Sequence, residues 1–231
     1  MVLDGVWDFF QERVFPLPSS ERLFNPFHDW NPRVDLPAGW EIRRANLFSY
    51  LSSFTRKPSL LMIGEAAGPW DCRFSGVPFT GEKELSAGAL PFRGVRSSRD
   101  EPLMPIGKRP PYTSHSAAVF WGVLRLRHPD FLVWNCVPFH PHEKDRILSV
   151  RTPDSDEIRR FVGHLESLGR LLRPAGIIAI GRRAEQALTA TGLSAPYIRH
   201  PSQGGARLFR DAMNRLFEER KGEGSTPLKN K

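Results

Sequence analysis

SLLMIGEAAGPWDCRFSGVPF, residues 59–79, is the stretch from which the fold can be read. The apolar run Leu60-Leu61-Met62-Ile63 has the length and composition of a buried strand. It breaks into Gly64-Glu65-Ala66-Ala67-Gly68, a small-residue turn with one acid at the strand's carboxyl end. Small residues let a ligand approach the backbone, and the carboxyl edge of an open α/β sheet is where ligands bind. Three further apolar runs, 131–135, 176–180 and 195–199, end in the same way, in Asn135, Gly181-Arg182-Arg183 and His200-Pro201-Ser202-Gln203-Gly204-Gly205.

Helical patterns separate these strands. Helices are predicted over 3–14, 39–54, 116–126, 156–172, 182–190 and 206–219. Ile158, Phe161, Val162, Leu165, Leu168, Leu171 and Leu172 repeat with a period of about 3.6. Thr152-Pro153 reads as the start of that helix, a cap residue followed by proline in the first turn. Strands alternating with helices predict a three-layer α/β/α domain around a mostly parallel four-stranded sheet. Residues 1–220 read as one domain, with 1–40 an aromatic and proline-rich arm packed on it. Phe9, Phe10, Phe24 and Phe27 are core candidates. Segments 81–114 and 140–151 read as irregular loops, the first at the active site, and 221–231 as a disordered tail.

With 231 residues and 40% hydrophobic side chains, the chain can bury a full core and is not a disordered protein. A formal net charge of +8 favours a polyanionic partner, nucleic acid before an anionic membrane. Two cysteines, Cys72 and Cys136, exclude a disulfide framework and a four-cysteine metal site, and both read as packing residues. Asp4, Asp8, Glu12 and Arg13 interrupt the N-terminus, so no secretory signal is expected, and no apolar run has the length of a membrane span. A soluble intracellular, cytoplasmic monomer without metal or cofactor is the expectation.

Each strand-end residue has a bland reading: Glu65 as a solvated acid, Asn135 as a turn former, His200 as a structural imidazole. Their placement on one sheet edge favours a joint role. Arg182 and Arg183 fall at a helix N-terminus, where the macrodipole is already positive. Glu185 offsets part of that charge, and a bound phosphate would offset more. Ser202, Gly204, Gly205 and Arg207 form a second phosphate-cradle candidate, because glycines before a helix expose N–H groups. His140-Pro141-His142 offers two imidazoles for zinc, without an evident third ligand.

Taken together, these motifs resemble the uracil-DNA glycosylase superfamily. Gly64-Glu65-Ala66-Ala67-Gly68 is similar to the GEAPG form of its first motif, with Ala67 where proline is usual. Phe79 of Gly76-Val77-Pro78-Phe79 lies where the family places the aromatic that stacks on the flipped base. Asn135 matches the asparagine that reads uracil, and His200-Pro201-Ser202 matches the second motif. The resemblance runs from about residue 59 to 209, with the motifs in family order.

It implies a monofunctional enzyme that flips deoxyuridine out of DNA, hydrolyses its N-glycosidic bond, releases free uracil and leaves an abasic site. Glu65 and His200 would be catalytic. Gly64, Ala66, Gly68, Phe79 and Asn135 would hold the base. Arg182, Arg183, Ser202, Gly204, Gly205 and Arg207 would grip phosphates. Three departures stand out. Members with GEAPG often carry a four-cysteine iron–sulfur cluster, which two cysteines cannot hold. The best-known branch has a thymine-blocking tyrosine where Gly68 stands, so thymine exclusion is looser here or falls to another group. Asp71 is a second acid in the loop and competes with Glu65 for the water-activating role. Gln203 and Leu208 are the candidate wedges for the vacated base stack. The competing readings are a non-catalytic binder of uracil or abasic DNA and a nucleotide-binding α/β enzyme, the latter without a GxGxxG or P-loop pattern.

Overall fold

The structure is a computed structural model and describes residues 1–100 and 107–223. Its elements run α1 (Asp4–Arg13), β1 (Leu23–Phe24), α2 (Gly39–Ser52), β2 (Leu60–Ala66), α3 (Cys72–Ser75), α4 (Glu82–Ser86), α5 (His115–Leu124), β3 (Phe131–Val137), β4 (His140–Pro141), α6 (Ser155–Leu172), β5 (Gly176–Ile180), α7 (Arg182–Ala190), β6 (Tyr197–Ile198) and α8 (Ala206–Glu223). β2, β3, β5 and β6 form one parallel sheet in the order β3-β2-β5-β6. β2 is a central strand, and its Leu60–Ile63 run is buried, as expected of a strand covered on both faces. β3 is buried along its whole length. The crossover through α5 carries the chain from β2 outward to β3. The next, through α6, returns it past β2 to β5. Right-handed crossovers in opposite directions place α5 and α6 on opposite faces. α8 packs with α5, and α1 and α7 pack with α6. The carboxyl ends of β2 and β5 therefore flank the topological switch point, the expected ligand crevice of such a sheet.

The three-layer α/β/α expectation holds, with corrections at element ends. β2 extends through Glu65 to Ala66, so this acid lies within the strand and not in the turn that follows, and β3 runs past Asn135 to Val137. β6 is shorter than predicted. The start assigned to Thr152-Pro153 moves to Asp154. The Asp154 carboxylate accepts from the Asp156 and Glu157 N–H groups, and Glu157 reaches back to the Asp154 N–H, a complete capping box. The 81–114 loop contains α4, and the 140–151 loop contains β4, which pairs antiparallel with β1 of the arm. Residues 221–223 continue α8, and the rest of the proposed tail, 224–231, lies outside the described residues.

The arm is part of the core. Phe10 stacks on Trp134 of β3 at 4.1 Å, and Phe10, Phe24 and Phe27 are buried. Asp35 of the arm is fully buried between Arg43 of α2 and Arg73 of α3, both themselves fully buried. Among the described residues, no helix is long and apolar enough to cross a membrane.

Candidate active site

A cavity of about 270 Å³ opens at the carboxyl edge of the sheet. Its wall includes Glu65, Ala66, Gly68, Phe79, Asn135, His200 and Ser202, so predicted site residues from four separate segments meet in one place. Gly64 lies beneath them. A methyl group on its Cα would stand 2.5 Å from Phe79 Cε2 and 2.7 Å from Asn135 Oδ1, closer than real contacts allow. Gly64 is paired with Asn135 in the β2–β3 register, and only glycine there lets ring and amide converge.

Phe79 has φ 52, a left-handed backbone unusual for a bulky residue and worth about 1–3 kcal/mol of strain. Its surroundings hold it there. One ring face is stacked on Phe120 at 4.7 Å, and Thr80 beside it bonds the Pro78 carbonyl and accepts from Trp121 Nε1. The Phe120 stack covers one face, so a planar ligand can be stacked only from the cavity side. Asn135 is 4% exposed, and among the described residues its amide has one contact, Nδ2 to Cys72 Sγ at 3.9 Å. An amide this buried and this weakly engaged is available to a ligand with a matching donor–acceptor edge.

Glu65 leaves β2 toward the start of α7. Its Oε1 accepts from the Arg183 N–H at 3.2 Å, and Oε2 has no partner among the described residues. Gly181, at φ 97, makes room for this carboxylate: a side chain there would collide with it. The anion that the α7 macrodipole favours is thus Glu65 itself. Arg182 pairs with Glu185 at 2.7 Å and lies over Tyr197, and Arg183 donates to Gln186. Neither arginine lines the cavity, and nor do Gly204, Gly205 or Arg207. The Gly205 N–H donates to the Ser202 carbonyl at 2.9 Å, which removes one N–H from the predicted phosphate cradle, and Arg207 is exposed beside Asp211.

His200 Nδ1 accepts from the Ser202 backbone N–H at 3.2 Å and lies 2.8 Å from Ser202 Oγ. A backbone N–H only donates, so Nδ1 carries the lone pair and Nε2 the proton. Burial, with a smaller effect of Arg199, pushes the pKa down to about 4, which keeps the ring neutral at pH 7. The ring centroid lies 5.3 Å from that of Phe79.

Sequence reasoning missed part of the wall. Asp71, taken as a competing acid, is the N-cap of α3: Oδ1 accepts from Cys72 N at 2.6 Å and Oδ2 from Ser114 Oγ at 2.6 Å. Burial, the largest influence, raises its pKa. Ser114 lines the cavity and caps α5, and serine before an apolar helix was the available signal. His140 has both ring nitrogens against carbonyls, Ala67 O and Ile147 O, and burial pushes its pKa down to about 3. The neutral ring can donate to one of these two carbonyls, and, enclosed between the backbone at Ala67 and at Ile147, it is not offered to zinc. Among the described residues no cluster of three or more His, Cys, Asp or Glu could hold a metal ion. Cys72 and Cys136 are buried free thiols, raised in pKa by burial, Cys136 to about 12. They do not fit an iron–sulfur cluster, which takes four thiolates.

An open parallel sheet thus carries an acid, a stacked ring, an amide and a neutral imidazole around one cavity at its carboxyl edge. Residues 51–219 match the uracil DNA glycosylase superfamily, and the chain belongs to that family. Among solved structures it is similar to the crystal structure of wild-type Pedobacter heparinus SMUG2, with TM-score 0.64 and 15% identity over 96% of this chain and 98% of that one, a likeness of fold. No curated protein sequence matches the chain.

Proposed function

We propose that the protein is a monofunctional DNA glycosylase that hydrolyses the N-glycosidic bond of deoxyuridine in DNA. One observation carries this reading: Glu65, Phe79, Asn135 and His200, far apart in sequence, line one cavity with the ring, amide and imidazole turned to complementary tasks. Superfamily membership supports it.

A pyrimidine reaches this cavity only when flipped out of the stack. It lies on the open face of Phe79. Asn135 Oδ1 accepts from N3–H and Nδ2 donates to O4, a pairing that cytosine reverses at both atoms. As the N1–C1′ bond breaks, its electron pair goes to the base and C1′ becomes cationic. His200 Nε2–H donates to O2 as negative charge grows there, and a neutral donor held in place does this without reorganisation. Glu65 stabilises the sugar cation, and its free Oε2 orients the water whose oxygen bonds to C1′ and whose proton it receives. Asp71 is a poorer water base because both of its oxygens are engaged. Ser202 supports the His200 tautomer. Arg182, Arg183 and Arg207 lie outside the cavity, where flanking phosphates would run.

The test is a single-uracil oligonucleotide followed by alkali. Strand scission is expected, reduced about 10²–10⁴-fold in Glu65→Ala and in His200→Ala. Tight retention of the oligonucleotide with no abasic product would establish a binding protein instead. No interaction with DNA at all would remove both readings.

A further inference from the structure

We propose that Trp70, with Lys108 beside it, forms a second nucleotide subsite at the cavity, one that takes the base next to uracil on the same strand and so favours single-stranded DNA. The inference rests on the uracil-excision reading of the site and names the form of DNA that the site would take.

Three observations carry it. First, the cavity draws its wall from two packing clusters. Phe79, on which the flipped base would stack, belongs to the main core, whereas Trp70 packs on a separate small cluster of Val34, Phe74 and Tyr112. A cavity of about 150 Å³ holds one six-membered ring, and this one has about 270 Å³. Second, Trp70 is only half-buried, yet its indole is held in place. Tyr112 meets it at a steep angle with 5.5 Å between centroids, and Lys108 Nζ lies 4.3 Å from the ring centroid. Third, Lys108 has no carboxylate partner among the described residues, and Val150, on the same cavity wall as Trp70, is 77% exposed.

A partly open aromatic ring beside a cation is the pairing that single-stranded nucleic acid uses: a π face for a base and a positive charge for its phosphate. A phosphate alone would not call for the apolar surface that Trp70 and Val150 present, and an uncharged apolar ligand would not call for Lys108. Arg182, Arg183 and Arg207 lie away from this wall, whereas Lys108 touches it through Trp70. In a duplex the base next to uracil stays stacked and paired, so reaching Trp70 costs a second unstacking on top of the flip. In a single strand that cost is largely absent, and the neighbouring base is free to leave its stack for the indole.

The experiment measures Kd by fluorescence anisotropy for single-stranded heptamers with a central 2′-fluoro-2′-deoxyuridine, which resists hydrolysis because fluorine opposes a cation at C1′. One heptamer carries every base, one has an abasic spacer on the 5′ side of the uracil, and one has it on the 3′ side. The proteins are wild type, Trp70→Ala, Trp70→Phe and Lys108→Gln, with a melting curve for each. In wild type one of the two spacers is expected to weaken binding by about 5–150-fold, the worth of one base–aromatic stack. That loss should shrink to within about twofold in Trp70→Ala and largely persist in Trp70→Phe. Lys108→Gln should flatten the log–log salt slope by about 0.7. Wild type should bind the full heptamer more tightly than its duplex, and Trp70→Ala should narrow that gap. No penalty from either spacer in wild type overturns the inference, as does a full penalty in a folded Trp70→Ala. If Trp70→Ala does not fold, Lys108→Gln decides, and a salt slope equal to wild type overturns the subsite. The ordinary deoxyuridine heptamer is incubated in parallel. A spacer penalty without uracil cleavage removes the excision reading and keeps the subsite, and cleavage without a penalty does the reverse.

Discussion

Replacing Gly64 by alanine is a one-carbon perturbation with a calculable consequence. The backbone at 64 is ordinary strand, so alanine meets no dihedral penalty, and the effect is purely steric. The new Cβ would stand 2.5 Å from Phe79 Cε2, 3.0 Å from Phe79 Cζ and 2.7 Å from Asn135 Oδ1. Ordinary contact needs about 3.5 Å, so ring and amide must together give way by roughly 1 Å. Phe79 has no room behind it, because Phe120 is stacked there at 4.7 Å. Asn135 is held in β3 by the same β2–β3 ladder that carries Gly64. Overpacking of this kind costs about 1–3 kcal/mol of stability. A 1 Å misplacement of groups that orient a substrate costs about 10²-fold in rate. Gly64→Ala is therefore expected to fold, melt a few degrees lower, and excise uracil about 100-fold more slowly. In a double-mutant cycle, Phe79→Ala should relieve the clash, making the stability loss of the pair smaller than the sum of the two. Excision within about threefold of wild type, or additive stability losses, would refute the convergence of ring and amide over this glycine.

Four further outcomes are expected. Asn135→Asp should narrow the preference for uracil over cytosine by at least about tenfold in paired oligonucleotide assays, since a carboxylate cannot donate to O4; an unchanged preference takes Asn135 out of base reading. His200 should titrate near 4 by ring nitrogen chemical shift, with Nε2 protonated at pH 7. The drop from 6.5 corresponds to roughly 3 kcal/mol of preference for the neutral ring, present in full above pH 6.5 and lost as pH falls from there through about 4; a midpoint at 6.5 or an Nδ1 proton contradicts the assigned tautomer. DNA affinity should fall steeply with salt, and Arg182→Gln, Arg183→Gln and Arg207→Gln should each flatten the log–log slope by about 1; slopes equal to wild type would show that these arginines do not meet phosphate. Asp35→Ala leaves Arg43 and Arg73 buried without their shared counter-ion, a loss of about 3–5 kcal/mol that should lower Tm by roughly 6–20 °C; a shift under about 2 °C would mean the cluster is solvated.

The fold was legible because its strands are short, apolar and punctuated, and because α6 keeps an unbroken helical period. The site was legible to the extent that chemistry is local. Glu65, Asn135 and His200 each follow or close an apolar run, so sequence alone puts them on one edge. What lay beyond reach depends on distant partners. Nothing near Arg182 says that its helix start is already occupied by a carboxylate from residue 65. Nothing near Asp71 says that Ser114 will hold it. The pairing of β1 with β4 joins two dipeptides more than a hundred residues apart, too short to carry a period. The misplaced start of α6 has a different cause: Thr152-Pro153 and Asp154 both fit a helix start, and the reciprocal bond with Glu157 decides between them.

The placement of charge around the cavity follows one logic. Glycosidic cleavage creates a cation on the sugar and an anion on the base within a few ångströms, so a site dominated by either sign would help one half and oppose the other. The chain carries a net +8, yet the arginines predicted to meet DNA lie outside the cavity. On the cavity wall Glu65 sits at the α7 start, Arg151 is paired with Glu157, and the group assigned to the base anion is an uncharged imidazole. In the proposed reaction Glu65 keeps one oxygen for the sugar because α7 meets it with a backbone N–H and not with an arginine head group, which can engage both oxygens of a carboxylate. Arg182 is drawn off by Glu185 and Arg183 by Gln186. On this view the arginines, poorly placed for a helix start by local rules, are tolerable there because the helix receives its anion from β2. That same anion is the one the proposed reaction would use.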